Sequence, residues 1–402
     1  MEDKNKIIFI GGIFDPYNEK YVLNSSKGVI QNAADALQKS IIKGISRFYD
    51  DFFILNLPFV GSFPSLFKDF YFKIPNSYYN GVFVKNISFC NLKGYKIFSR
   101  FINTLIAIKK ENNSVFVIYS INISFLLAVF LKKMSNRNNK IILIVPDLPE
   151  FMNSKNSYLK KKILYLQNLF LSKIIYPKID GFVLLTEGMN KRLRVNENKV
   201  IIIEGIFSND IIKKELITEE KFKILYTGTL AKRYGIIDLV EQFHKIVGKD
   251  FELLICGAGD GAEEIIEYTN KDSRIKLLGQ LPRKDILNLQ REVSLLVNPR
   301  KPEEFTKFSF PSKTMEYFAS GTPVLMYKLE GIPTEYFDYC YTLELSDKDN
   351  LSTKIISIKE KSIIERNKLG LMAQEFIFNN KTEDKQVKKL FDYIKSLYEN
   401  SK

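Results

Sequence analysis

Ser309-Phe310-Pro311-Ser312-Lys313-Thr314-Met315-Glu316-Tyr317-Phe318-Ala319-Ser320-Gly321-Thr322-Pro323-Val324-Leu325 contains a helix start, a helix stop and the opening of a strand. Pro311 and Ser312 suit the first positions of a helix, where backbone N–H groups lack partners and the dipole is positive, so a phosphate can rest on that end. Lys313 adds a full charge. Glu316 comes three residues later on the same face and sets a carboxylate beside the cation. Gly321 ends the helix, Pro323 prevents its return, and an apolar strand follows. Taken alone, the motif fits equally an ordinary cap with a surface ion pair and a loop.

The same punctuation recurs along the chain. Ile7–Ile10, Phe52–Leu55, Val115–Tyr119, Ile141–Val145, Gly181–Leu185 and Val200–Ile203 are short apolar runs separated by helical stretches. After Asp210 the pattern restarts with Lys223–Thr227, Phe251–Cys256, Ile275–Leu278, Ser294–Asn298, Pro323–Tyr327 and Tyr341–Leu345. Two runs of alternating strand and helix predict two α/β domains with parallel sheets, residues 1–207 and 208–380. The join falls near Phe207–Thr218. Lys381 to Leu397 reads as a helix beyond the second sheet that returns to the first domain.

With 402 residues, 45% hydrophobic and 26% charged, the composition is that of a globular protein with a real core. Cys90, Cys256 and Cys340 share no metal-ligand spacing and are odd in number, which fits a reducing compartment. The first residues read as a strand, the apolar core there being too short for a signal peptide. Val115 to Leu131, the longest apolar stretch, is broken by Ser120, Asn122 and Ser124 and reads as a strand and a helix rather than a membrane span.

The net charge of +14 is uneven: residues 1–200 carry 29 Lys and Arg against 14 Asp and Glu, the remainder 31 against 32. Within the basic half, aromatic residues recur among lysines, in Phe67-Lys68-Asp69-Phe70-Tyr71-Phe72-Lys73, Tyr78-Tyr79, Phe83 and Phe89. Tyr158 to Leu166 opens a second basic and aromatic segment, an amphipathic helix running to about Tyr176. This combination suits an anionic membrane surface; for any single aromatic, the core is the plainer reading. Nothing resembles a nucleic-acid recognition module.

In parallel sheets ligands bind at the carboxyl ends of the strands. The residues there are Gly11 and Gly12, Asp147, Thr186, Glu204, and Gly228-Thr229-Leu230-Ala231-Lys232-Arg233. Lys232 and Arg233, just before a helix from Gly235, are suited to a diphosphate, or are a solvated pair. Gly257-Ala258-Gly259-Asp260-Gly261-Ala262 satisfies the dinucleotide fingerprint. It follows the second strand of its domain, however, and no acidic residue closes the next strand to hold a ribose. Asp347-Lys348-Asp349 has the form of a D-x-D metal motif in a polar loop, and His244 lies inside a helix, in a surface or packing role.

Together these motifs resemble family 4 of the retaining glycosyltransferases. The resemblance rests on Tyr226-Thr227-Gly228-Thr229-Leu230, Leu253 to Gly259, Ile275 to Pro282, Ser294 to Pro299 and the Pro311–Val324 block, in that order. It implies the GT-B fold, two Rossmann-like doubly wound parallel-sheet domains facing each other across a cleft, the first binding acceptor and the second a nucleotide diphosphate sugar. By motif, Glu316 is expected to bind the ribose, Ser309 to Lys313 the diphosphate, the backbone near Leu281 the base, and Gly228 and Thr229 the donor. Lys232 and Arg233 would stabilise the departing phosphate in place of a metal, so neither metal nor cofactor is expected. Glu204 is a candidate for the donor sugar, and Gly11, Gly12, Asp147 and Thr186 for acceptor or sugar. The expected donor is a UDP-sugar and the acceptor a lipid-linked saccharide of capsule, O-antigen or glycolipid synthesis, at the cytoplasmic face of the membrane.

Two departures stand out. The family's paired glutamates lie eight apart, and that position before Glu316 is Phe308. The family's loop arginine and lysine are replaced by Thr229 and Tyr234. They leave open a catalytically silent homologue acting as a partner subunit. A nucleotide-sugar epimerase of the same fold is the third reading.

Overall fold

The computed structural model describes residues 6–28, 30–150, 158–208, 220–345 and 350–399. Contacts divide the chain into one unit of Met1–Ile206 with Glu383–Lys402, and another of Phe207–Thr382.

The first unit is built on an eight-stranded sheet, in spatial order Val200–Ile202, Gly181–Leu184, Lys140–Val145, Ser114–Tyr119, Lys6–Gly11, Phe52–Asn56, Val82–Asn86 and Ser77–Tyr79. Every pairing is parallel except the last, an antiparallel hairpin. Central strands such as Ile-Ile-Phe-Ile and Ile-Ile-Leu-Ile-Val are buried on both faces, which is why they read as unbroken apolar runs instead of alternating ones. The hairpin strands alternate buried and exposed residues. Among the clustered aromatics, Phe67, Phe72 and Phe89 are core: Phe72 stacks on Phe89 at 4.9 Å and meets Phe67 at 5.8 Å. Phe70, Tyr71, Tyr78 and Phe83 are exposed.

The last helix, Glu383–Glu399, packs on Asn32–Phe48 of this unit. Gly44 permits the close approach, since a Cβ there would lie 2.3 Å from the Val387 side chain. Phe48 stacks on Phe391 at 5.0 Å, and Lys43 and Arg47 both pair with Glu383.

The second unit holds a six-stranded, wholly parallel sheet in the order Ile275–Gly279, Phe251–Cys256, Phe222–Thr227, Leu295–Asn298, Val324–Tyr327 and Tyr341–Leu343. All twelve strands read from the apolar runs are present. Part of the expected join, residues 209–219, lies outside the described residues, as do Asp347, Lys348 and Asp349. Among the described residues no helix is long and apolar enough to cross a membrane.

Candidate functional site

The site grows from the carboxyl end of the strand Phe222–Thr227. The Tyr317 hydroxyl accepts from the Thr227 N–H at 2.8 Å and donates to the Thr227 carbonyl at 3.1 Å, tying the short helix Lys313–Ala319 to the strand end. Burial raises the Tyr317 pKa, so the hydroxyl keeps the proton this clamp needs. Gln290, on the helix Arg283–Glu292, donates through Nε2 to the Thr227 hydroxyl at 3.2 Å and to Glu316 Oε1 at 2.8 Å. Lys313 Nζ meets the same oxygen at 2.7 Å, and Arg283 lies 3.7 Å from the other. Burial of Glu316 favours the neutral acid, but the Lys313 charge and the hydrogen bonds from Lys313 and Gln290 outweigh it and lower its pKa. The result is an ionised, mostly buried carboxylate with one oxygen saturated and the other only loosely engaged, the state that accepts hydroxyl protons.

Ser312 is exposed at the head of the helix, Pro311 and Phe310 are buried, and the Ser309 hydroxyl turns back to the Phe305 carbonyl at 3.3 Å. The Thr314 N–H is already taken by the Pro311 carbonyl at 2.8 Å. Leu281 is half-buried against the core just before Arg283. The expected anion cradle therefore contains Lys313 and one turn of backbone, with Glu316 fixed beneath it.

The loop after Thr227 is shaped by the glycines that imitate a dinucleotide fingerprint. A Cβ on Gly257, whose φ is +146°, would lie 1.8 Å from the Gly228 carbonyl oxygen, and one on Gly259 would lie 2.5 Å from the Leu230 backbone. Leu230 donates to the Ala258 carbonyl at 2.9 Å, and Gly261 donates back to Leu230 at 2.8 Å. These glycines let two strand-end loops pack against each other, which accounts for the fingerprint without a dinucleotide.

That packing presents Lys232 and Arg233. The Lys232 N–H donates to Asp260 at 3.0 Å, while its Nζ pairs with Glu264 at 2.6 Å, an interaction that raises its pKa. Arg233 lies over the rings of Tyr234 and Phe305, 4.9 and 5.3 Å from their centroids. Arg300 also stacks on Tyr234, at 4.0 Å; its Nε is buried without a hydrogen-bond partner, and burial lowers its pKa. Sequence reading did not single out Arg300. The available signal was its place two residues beyond the strand Leu295–Asn298, next to Phe222–Thr227 in the sheet.

The remaining candidates belong to the first unit. A Cβ on Gly11 would meet the Gln38 amide oxygen at 2.3 Å, and one on Gly12 the Leu57 carbonyl at 2.7 Å, so both glycines have a packing reason. Glu204 is buried and accepts from Gln386 of the last helix at 3.3 Å. Thr186 is buried at the start of the helix Glu187–Leu193. Asp147 is open to solvent, yet desolvation by the protein around it pushes its carboxyl up to about 6. His244 lies 3.1 Å from Asp272 on the outer side of its helix. Among the described residues no cluster of His, Cys, Asp and Glu could hold a metal ion.

Residues 207–376 match the family described as glycosyl transferases group 1, which spans nearly all of the second unit. Solved structures share the fold over the full length. HepE from Anabaena in complex with UDP is 12% identical with a TM-score of 0.65, covering 97% of this chain and 100% of that one. The lipopolysaccharide outer core galactosyltransferase WaaB is 14% identical at the same score, covering 97% and 99%. Sucrose-phosphate synthase from Thermosynechococcus elongatus is 11% identical with a TM-score of 0.69, covering 98% and 100%. No curated protein matches by sequence. The fold is thus that of the GT-B glycosyltransferases, and the match to the group 1 family falls within its second unit.

Proposed function

We propose that this protein is a retaining glycosyltransferase that moves a sugar from a nucleoside diphosphate to a lipid-linked saccharide during cell-surface polysaccharide or glycolipid synthesis. The observation that carries the proposal is the constellation of Lys313, Glu316 and Gln290 clamped by Tyr317 to the Thr227 strand end, inside the domain that matches group 1 glycosyl transferases. Glu316 would accept from the ribose hydroxyls while Lys313 meets the diphosphate. In the transfer, the bond from the anomeric carbon to the β-phosphate oxygen breaks, and its electron pair leaves with the nucleotide. The acceptor hydroxyl oxygen bonds to that carbon on the same face, its proton passing to the departing phosphate. Arg233, Arg300 and Lys313 would stabilise the charge gathering on the diphosphate, the role a metal plays in other transferases. UDP is the first nucleotide to test, since HepE was solved with UDP and UDP-glucose. The reaction would take place at the cytoplasmic face of the membrane.

Phe308 in place of a glutamate favours a second reading, a silent homologue acting as a partner subunit. Calorimetry with UDP, GDP, ADP, CMP and dTDP in metal-free buffer, alongside Lys313→Ala and Glu316→Gln, tests the donor site. One nucleotide should bind, and both variants should weaken it by about tenfold or more. If none binds, the proposal falls. Slow hydrolysis of the matching nucleotide-sugar without acceptor separates an active transferase from a silent one.

A further inference from the structure

The helix Tyr158–Ile174 turns its apolar side outward. Leu159, Ile163, Leu166, Phe170 and Ile174 recur at intervals of three or four residues and so form one stripe, and each is between 45% and 66% exposed. The opposite side is the anchored one. Asn168 and Leu171 are buried, Asn168 accepts from the Tyr176 hydroxyl at 2.7 Å, and Tyr165 lies under the Arg192 guanidinium at 4.7 Å. Arg192 in turn pairs with Glu150 at 2.9 Å. A surface helix normally gives its polar residues to water, and a continuous apolar stripe in their place marks a contact surface.

The charge around the stripe selects the partner. The helix carries Lys160, Lys161, Lys162 and Lys173 and no Asp or Glu. Lys162 and Lys173 are exposed, and helical spacing puts them along one border of the stripe. Leucine, isoleucine and phenylalanine bordered by lysines match the boundary between acyl chains and anionic headgroups. A second copy packed stripe to stripe would set these lysines against their equivalents, a like-charge contact that disfavours pairing.

We propose that Tyr158–Ile174 is the element by which this protein lies on an anionic bilayer, with the five-residue stripe inserted among the headgroups. The proposal deepens the lipid-linked acceptor reading by naming the surface that meets the lipid, and its test does not depend on nucleotide binding.

The full chain is co-sedimented with vesicles of phosphatidylcholine alone and of phosphatidylcholine mixed with phosphatidylglycerol. Binding to the mixed vesicles, weakened by salt, is expected. Leu166→Asp with Phe170→Asp should lower it by at least about tenfold, and Lys162→Glu with Lys173→Glu by about fivefold per removed charge. Val247→Asp, at a still more exposed apolar position in the second unit, should leave it unchanged. Thermal melting confirms that the variants are folded. A protein that binds these vesicles but no nucleotide would sink the donor reading and leave this one standing. Failure of the wild type to bind mixed vesicles, or wild-type binding by the Leu166 and Phe170 variant, would overturn it. So would a wild-type dimer that this variant dissociates.

Discussion

At the carboxyl ends of their sheets the two units use one backbone plan in opposite ways. In the first unit the loop after Lys6–Gly11 is satisfied from within. The N–H groups of Gly12, Ile13 and Phe14 donate to Gln38, Asn56 and Asp35 at 2.8, 2.8 and 2.7 Å, and Asn56 donates in turn to Asn86 at 2.8 Å. Arg100, buried between the rings of Phe59, Phe89 and Phe125, donates to the Leu57 carbonyl. In the second unit, Arg233 and Arg300 rest on aromatic faces, Lys313 shares a single carboxylate oxygen with Gln290, and exposed Lys232 reaches a half-buried glutamate. The Nε atoms of Arg100 and Arg300 are both buried without a partner, so the contrast lies elsewhere: backbone N–H groups answered from within position a loop, whereas a rim with cations in excess of its carboxylates is ready for an anion.

The largest expected effect comes from the glycines that shape the second rim. Gly257→Ala places a Cβ against the Gly228 backbone at a positive φ, where no side chain can yield. It should destabilise the second unit by about 3 kcal/mol or more. Gly11→Ala, with a negative φ, meets side-chain atoms of Gln38 and Phe9 instead of backbone, and should cost less. Calorimetric unfolding of both variants checks the order, and equal losses would break the contrast between the rims.

Next is the division of labour between buried Arg100 and half-buried Arg300. Arg300→Ala should weaken binding of a nucleoside diphosphate by about tenfold or more, because hydrogen bonds to charged groups contribute roughly 1.5–3 kcal/mol. The loss should be smaller for the matching nucleoside, which has no phosphate. Arg300→Lys should recover part of it, keeping the charge while losing the stack on Tyr234. Arg100→Met should leave nucleotide affinity within about twofold, since its guanidinium is directed at Leu57. Nucleotide affinity lost equally in both arginine variants would show that the rims are not distinct.

Tyr317→Phe removes both hydrogen bonds to the Thr227 backbone and leaves a buried N–H and C=O without that partner. Its expected cost is about 1–3 kcal/mol in urea unfolding, with a smaller effect on nucleotide affinity. A larger effect on affinity than on stability would make the clamp part of the binding surface itself.

The apolar runs located the twelve principal strands because parallel strands covered on both faces leave an unbroken signature. The hairpin Ser77–Tyr79 and Val82–Asn86 escaped, its half-exposed alternation hidden among lysines and aromatics. Periodicity also marked Tyr158–Ile174 as amphipathic, but a period shows only that one face is apolar. Which face packs inward is decided by the partners of Asn168 and Tyr165, and these partners, Tyr176 and Arg192, lie outside the helix. In the second unit, Lys313, Glu316, Lys232 and Arg233 were legible because they sit within local motifs. Gln290 and Arg300 were not, since each reaches the site from a separate element and only the sheet order brings it near Thr227.

The smallest effect is the most discriminating for Lys232. Its ammonium is paired with Glu264 at 2.6 Å, in an exposed position where such pairs contribute little and exchange readily. A diphosphate, with more charge and more acceptor oxygens than one carboxylate, competes well for that cation. Glu264→Gln removes the competitor without removing the lysine, so nucleoside diphosphate binding should tighten by about two- to fivefold, an advantage that fades with added salt. Lys232→Ala should abolish the gain. If Glu264→Gln leaves affinity unchanged, the pair belongs to the scaffold, as Lys43 with Glu383 does in the first unit, and the anion-binding rim contracts to Lys313, Arg233 and Arg300.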